Sequence, residues 1–160
     1  MRVILCSAAL AATIAALGQA SATSHGNQIL FTVPYKTIGK WTITRQEGGG
    51  DSCFAETDNG QVSLGISHTD YTGDWYLGVP YYEDDNPSGN FGFGKQATDV
   101  VNFESWVLNG WAMWYVNDNV RADLKKESHV TIELDRGPQT WSLSGSSQVI
   151  DALIACAKGR

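Results

Sequence analysis

Few residues in this chain combine the type and spacing that catalysis needs. Histidine occurs three times, as His25, His68 and His129. His68-x-Asp70 places an imidazole and a carboxylate on the same side of an extended segment. Such a pair can orient a histidine for base catalysis once a serine completes a triad. No serine sits in a Gly-x-Ser-x-Gly elbow, so the simpler reading is a solvated loop histidine. Glycoside hydrolysis asks for two carboxylates about 5–10 Å apart across a cleft. Asp70, Asp74, Glu83, Asp84, Asp85, Glu104 and Glu133 supply the groups, but nothing in the sequence pairs them. An exposed acidic loop accounts for the 83–85 run without chemistry.

Two further patterns fall short of a ligand site. Asp84-x-Asn86-x-Ser88-Gly89-Asn90 alternates oxygen side chains and has glycine at the sixth position, as a calcium loop does. Its twelfth position is Lys95, where the bidentate glutamate belongs. Gly89-x-x-Gly92-x-Gly94-Lys95 does not have phosphate-loop spacing. The expectation is therefore no catalytic residue, no metal and no cofactor.

The aromatic residues are more informative. The chain holds six tryptophans and six tyrosines. Trp41, Trp75, Trp106 and Trp141 fall in strand patterns and read as core. Trp111-Ala112-Met113-Trp114-Tyr115-Val116 is apolar at every position, which a strand with one wet face should not be. Either both faces are covered, or Trp114 is presented to a partner. Tyr81 and Tyr82 flank the acidic loop, so the candidate binding residues are Tyr81, Tyr82, Asp84, Asp85, Trp111 and Trp114. Flat rings beside carboxylates suit sugar stacking and equally a protein hot spot.

The elements that would position these residues follow from composition and periodicity. A chain of 160 residues that is 42% hydrophobic and only 18% charged can build a packed core. Its formal charge of -6 argues against nucleic acid or anionic membrane as partners. Arg2, the apolar stretch from Val3 to Gly18 and Ala20-Ser21-Ala22 have the form of an export signal with a cleavage site. Residues 1–22 are thus expected to be removed, and residues 23–160 to form one β-rich domain, exported to the periplasm or beyond. The apolar stretch is shorter than the roughly 20 residues of a spanning helix, and none follows, so the mature chain should carry no transmembrane segment. Cleavage also removes Cys6 and leaves Cys53 and Cys156. Two cysteines in an oxidising compartment predict one disulfide.

Short β-rich runs dominate the rest: Ile29 to Val33, Ile38 to Arg45, Ser52 to Thr57 and Gln61 to Ser67. Asp58-Asn59-Gly60 marks a hairpin between the last two. Val62, Leu64 and Ile66 share one face, as do Trp75, Leu77 and Val79. Tyr81 to Gly94 reads as irregular, with turn chemistry at its centre. Strand character returns from Ala97 to Val107 and from Gly110 to Val116, and Asn117-Asp118-Asn119 reads as a turn. Val130, Ile132 and Leu134 alternate again, and Gly137-Pro138 leads to Trp141 and Leu143. From Ser146 the period changes: Val149, Ile150, Leu153 and Cys156 recur at helical spacing, with Ser144, Ser146 or Ser147 as cap and Gly159 at the stop. This helix turns Cys156 toward the core, where Cys53 can meet it. The expected fold is mainly β, an antiparallel β-sandwich or curled sheet with one short C-terminal helix docked by a disulfide.

Three pieces in this order carry a resemblance: Ile38-Gly39-Lys40-Trp41, then Ser52-Cys53-Phe54-Ala55, then Leu143-Ser144-Gly145-Ser146 through Ala152-Leu153-Ile154-Ala155-Cys156. The layout resembles the invasion-associated locus B family of small exported proteins from alphaproteobacterial envelopes. The resemblance implies a periplasmic β-sandwich with a strand-to-helix disulfide, and it offers no catalytic residues. The functional expectation is a non-catalytic periplasmic binding or interaction protein whose partner is an envelope protein or a glycan. Its sharpest form is an inhibitor or immunity-type protein for a basic envelope protein. Carbohydrate or peptidoglycan binding through exposed aromatics is the alternative, ahead of a hydrolase. Oligomeric state has no signature in the sequence.

Overall fold

The computed structural model describes residues 22–25, 28–47, 52–82, 87–94, 101–104, 106–108, 110–135 and 137–159. Its strands form two antiparallel sheets. The larger contains β1 (Ala22–His25), β2 (Gln28–Ile38), β3 (Trp41–Glu47), β4 (Ser52–Asp58), β5 (Ser63–Thr69) and β6 (Trp75–Pro80). Two later strands, β9 (Trp106–Leu108) and β10 (Trp111–Tyr115), complete it in the order β1-β2-β3-β4-β5-β6-β10-β9. The smaller sheet runs β12-β11-β7-β8, with β7 (Ser88–Phe93), β8 (Val101–Glu104), β11 (His129–Leu134) and β12 (Gly137–Ser142). The chain thus leaves the smaller sheet at Glu104 and joins the larger at Trp106.

Local chemistry explains the joints. Between β4 and β5, Asp58 Oδ1 accepts from Gly60 N, and Asn59 Oδ1 accepts from both Gln61 N and Val62 N. Gly60 takes a φ of +90°, which a side chain would oppose. The hairpin expected at Asp58-Asn59-Gly60 therefore forms with Asp58 opposite Ser63.

Two helices pack against each other, and one of them covers a face of the larger sheet. The C-terminal helix α2 (Ser146–Ala157) packs on β2, β3, β4 and β5, with Val149, Ile150, Leu153 and Cys156 buried beneath it. Cys156 is bonded to Cys53 of β4 across 103 residues of sequence. The mainly β fold with a C-terminal helix held by a disulfide matches the expectation from periodicity. No serine side chain caps α2: Gly145 occupies that position, and Ser146 Oγ donates to the Leu124 carbonyl at 2.5 Å instead.

That carbonyl belongs to a helix the sequence pattern did not suggest, α1 (Asp118–Lys126). Asn117, expected in a turn, is its N-cap and accepts from Val120 N at 3.0 Å. Asp118 in the first turn and Lys125 and Lys126 in the last complement the helix dipole. Lys125 also reaches Asp151 of α2 at 2.7 Å. A second departure is β7, which lies within the stretch read as irregular and pairs with β11. Among the described residues no helix is long and apolar enough to cross a membrane.

The core fills the space between the larger sheet, the helices and the smaller sheet. One inward row runs Ile43, Ala55, Ile66, Leu77, Trp114 across five strands. Trp114 approaches the smaller sheet at Gly89, where a β-carbon would lie 3.5 Å from its Cζ2. Trp41 and Trp141 are also buried and tie segments together: their Nε1 groups donate to Ser144 O (3.1 Å) and Val62 O (2.8 Å). Trp75 joins them in the core, as expected, while the Trp106 side chain lies outside what is described.

Candidate functional site

The candidate site is the face of the larger sheet turned away from the helices. Side chains alternate along a strand, so the neighbours of the inward row must point outward. One outward row is Thr44, Phe54, Ser67, Tyr76, Tyr115. The adjacent row is Thr42, Glu56, Gly65, Gly78, Met113. Two glycines therefore face each other across β5 and β6, leaving the sheet bare of side chains at that point.

Neighbouring side chains fold down onto the bare patch. A β-carbon at Gly65 would collide with the Phe54 ring and lie 3.0 Å from Trp111 Cζ3, and one at Gly78 would collide with Met113 Sδ. Phe54 and Trp111 meet edge to face, with centroids 5.0 Å apart and planes at 77°. Met113 is only 7% exposed yet lies outside the main core cluster. Phe54, Trp111 and Met113 thus form a small apolar satellite on the outer face. The satellite accounts for the β10 segment being apolar at every position: Ala112, Trp114 and Val116 enter the core, while Trp111 and Met113 cover glycine.

Beside the satellite the surface opens into an aromatic corner. The Tyr76 and Tyr115 rings lie 6.0 Å apart at 74°, and Tyr115 is 52% exposed. Tyr76 Oη donates to Asp74 Oδ2 over a long 3.4 Å. Burial, and then the Asp74 charge, push the Tyr76 phenol above its usual range, so it stays protonated.

The electrostatics of this face are one-sided. The strands β4, β5, β6 and β10 contain no lysine or arginine, but they carry Glu56 and Asp58, with Asp74 just before β6. Among the described residues neither Asp74 nor Glu56 has a cation in ion-pair range. Several cations sit around the helices instead. Arg121 pairs with Asp118 (2.8 Å), Lys125 with Asp151, and Arg45 lies beside Gly159 past the end of α2.

The residues proposed from sequence are distributed differently from the expected platform. Trp111 is half-buried on the outer face, against Phe54. Tyr82 is 77% exposed, with its ring edge next to Gly110. Tyr81, by contrast, is buried at 3% exposure, and Trp114 at 1%. Neither presents a surface, because strand alternation directs Trp114 into the core. The Trp114 indole N–H has no hydrogen-bond partner among the described residues. Asp84 and Asp85 lie outside the described residues, as does the Asp84–Asn86 part of the calcium-like pattern. Tyr76, Tyr115 and Phe54 were missed, because their shared outward face depends on the cross-strand register that sets Gly65 opposite Gly78.

His68 is also placed differently from the loop position expected. It is a buried residue of β5, 6% exposed, because its strand phase points it under the helix layer. Nδ1 faces the Asp74 backbone carbonyl at 3.1 Å, and a carbonyl can only accept, so the neutral ring carries its hydrogen there. No hydrogen bond joins it to the Asp70 carboxylate among the described residues, and desolvation pulls its pKa below the ordinary value. Among the described residues no three His, Cys, Asp or Glu side chains converge to hold a metal. An open cleft of about 600 Å³ lies between Tyr35–Gly39 and α2, but its carboxylate, Asp151, is already paired with Lys125.

Comparison with protein-family models, with curated proteins and with solved structures gave no match for this chain. The described residues form a disulfide-pinned, two-sheet β protein whose larger sheet has an aromatic, acidic outer face.

Proposed function

We propose that this is a non-catalytic, exported binding protein that holds a basic protein of the cell envelope against the outer face of its larger sheet. One observation carries the reading: partly exposed aromatics share that face with carboxylates that have no cation in ion-pair range among the described residues, and four consecutive strands of it carry no cation. Aromatics supply buried area at low entropic cost, and an acidic field speeds encounter with a basic partner. A disulfide is compatible with an oxidising compartment, which supports export. An inhibitor or immunity role against a basic hydrolase is the sharpest form of the proposal.

The exposure of Tyr115 and Tyr82 favours a second reading, stacking of sugar rings from a glycan such as peptidoglycan. The experiment measures binding of the oxidised protein to a basic lysozyme-type enzyme and to cell-wall sacculi, beside a Phe54→Ala/Tyr115→Ala variant. Salt-sensitive enzyme binding that the variant loses supports the first reading. Sacculus binding that persists in salt and falls in the variant supports the second. Binding indifferent to the variant, or absent from both ligands, overturns the outer face as the recognition surface.

A further inference from the structure

Among the described residues, ring faces and a carboxylate without a cation partner come together on the outer face at Tyr76, Tyr115 and Asp74. Tyr76 and Tyr115 meet at 74° with centroids 6.0 Å apart, and Asp74 Oδ2 accepts from the Tyr76 hydroxyl. Asp74 has no cation in ion-pair range among the described residues, and its other oxygen, Oδ1, has no hydrogen-bond partner among them. A cation placed here gains twice: from the quadrupole of a tyrosine ring and from the carboxylate.

We propose that the Tyr76–Tyr115–Asp74 corner is the receptor for an arginine side chain of the protein partner, the guanidinium lying on a tyrosine ring with an N–H directed to Asp74. This inference rests on the outer face being the recognition surface. Arginine fits better than lysine for three reasons. Its guanidinium is flat and stacks on a ring. It is more weakly hydrated than an ammonium, so it loses less on partial burial. Its several N–H groups allow one to reach a carboxylate while the plane remains stacked. The protein already shows the same chemistry internally, where the Arg121 guanidinium carbon lies 5.4 Å from the Trp75 ring centroid while Nη2 meets Asp118. The protonated Tyr76 phenol contributes by fixing Asp74 and adding no second negative charge.

The test uses three blocked decapeptides alternating glycine with arginine, lysine or glutamate. Each is titrated into the oxidised protein while Tyr and Trp ring resonances are followed by NMR. The arginine peptide should bind most tightly, weaken as salt rises and shift the Tyr115 and Tyr76 ring signals. Asp74→Asn and Tyr115→Ala should each weaken it about tenfold, and Tyr115→Phe should restore most of the loss. Tyr71→Ala, in a turn where Tyr71 is 91% exposed, should leave affinity unchanged and serves as the surface control. Equal binding of the arginine peptide by wild type, Asp74→Asn and Tyr115→Ala overturns the inference, as does absence of arginine-peptide binding or equal binding of the glutamate peptide. If the peptide results are negative while Phe54→Ala/Tyr115→Ala still loses the lysozyme-type enzyme, the corner fails and the outer-face reading survives. If that variant keeps the enzyme as well, both fail.

Discussion

The imidazole of His68 lies flat on the indole of Trp75, with ring centroids 4.1 Å apart and planes 14° from parallel. Directly across the β4–β5 ladder from His68 stands Cys53, so the stacked pair adjoins the disulfide under α2. Burial there disfavours the imidazolium more than the Asp74 carbonyl and the Asp70 charge favour it. The folded-state pKa is therefore below the ordinary 6.5, and the unfolded chain takes up the proton first as pH falls. Stability from this site is fully present above about pH 6.5 and is lost as pH falls from there toward the folded value, by at most about 1.4 kcal/mol per pH unit. Denaturation of wild type and His68→Phe, which keeps a stacked ring but cannot titrate, should give curves that converge between pH 7.5 and 5. Parallel curves would show that His68 does not couple folding to protonation.

The Cys53–Cys156 bond closes a loop spanning 103 residues, and its cysteines are 1% and 0% exposed. Chain entropy alone assigns a cross-link of that span about 4–5 kcal/mol. A Cys53→Ala/Cys156→Ala protein should lose stability on that scale in urea unfolding. Because the bond is enclosed, a small thiol reductant should open it no faster than the fold itself opens. Rapid reduction of the folded protein would contradict the packing of α2 over β4.

Gly65 is predicted to be intolerant of even a methyl group. A β-carbon there meets the Phe54 ring and lies 3.0 Å from Trp111 Cζ3, and the two rings pack edge to face on each other. Gly65→Ala should cost about 1–3 kcal/mol, the range for overpacking a close-fitted site. Gly78→Ala should cost less, since the atom it collides with belongs to the flexible Met113 side chain and the Ala112 carbonyl stands farther off at 3.1 Å. Thermal melts of the two variants, compared side by side, decide the order.

Among the described residues three indoles are fully buried and make a matched set. Trp41 and Trp141 donate to carbonyls, whereas Trp114 has no acceptor among the described residues. Replacement by phenylalanine removes similar volume in each case, but at 41 and 141 it also removes a hydrogen bond, to the Ser144 carbonyl and to the Val62 carbonyl, which keeps Asn59 N as a second donor. Those two variants should lose roughly 0.5–1.5 kcal/mol more than Trp114→Phe. Equal losses at all three would mean that the Ser144 and Val62 carbonyls are readily hydrated.

What could be read from the sequence was whatever is encoded by local period. The faces Leu64–Ile66 and Trp75–Leu77–Val79, the Asp58–Gly60 turn, and the helix carrying Cys156 beside Val149 and Leu153 all follow from spacing within one segment. The first helix did not, because asparagine and aspartate serve turns and N-caps through the same hydrogen bonds, and only Val120 and Leu124 mark its buried side. Strand β7 was hidden by its composition: a run rich in glycine and asparagine becomes a strand only because β11, some forty residues later, offers a partner. The outer face was hidden for a related reason. Met113 and Trp111 make sense as outward residues only when Gly65 is known to sit opposite Gly78, and such cross-strand register is a long-range property.

The position of the disulfide also imposes an order of events during biosynthesis. Ribosomes deliver the chain N-terminus first, so Cys53 emerges long before its partner in the final helix. Its thiol must wait, unpaired, while every strand from β5 to β12 is made. The cross-link therefore needs the whole chain through the final helix, and a polypeptide released early, before residue 156, can never acquire it.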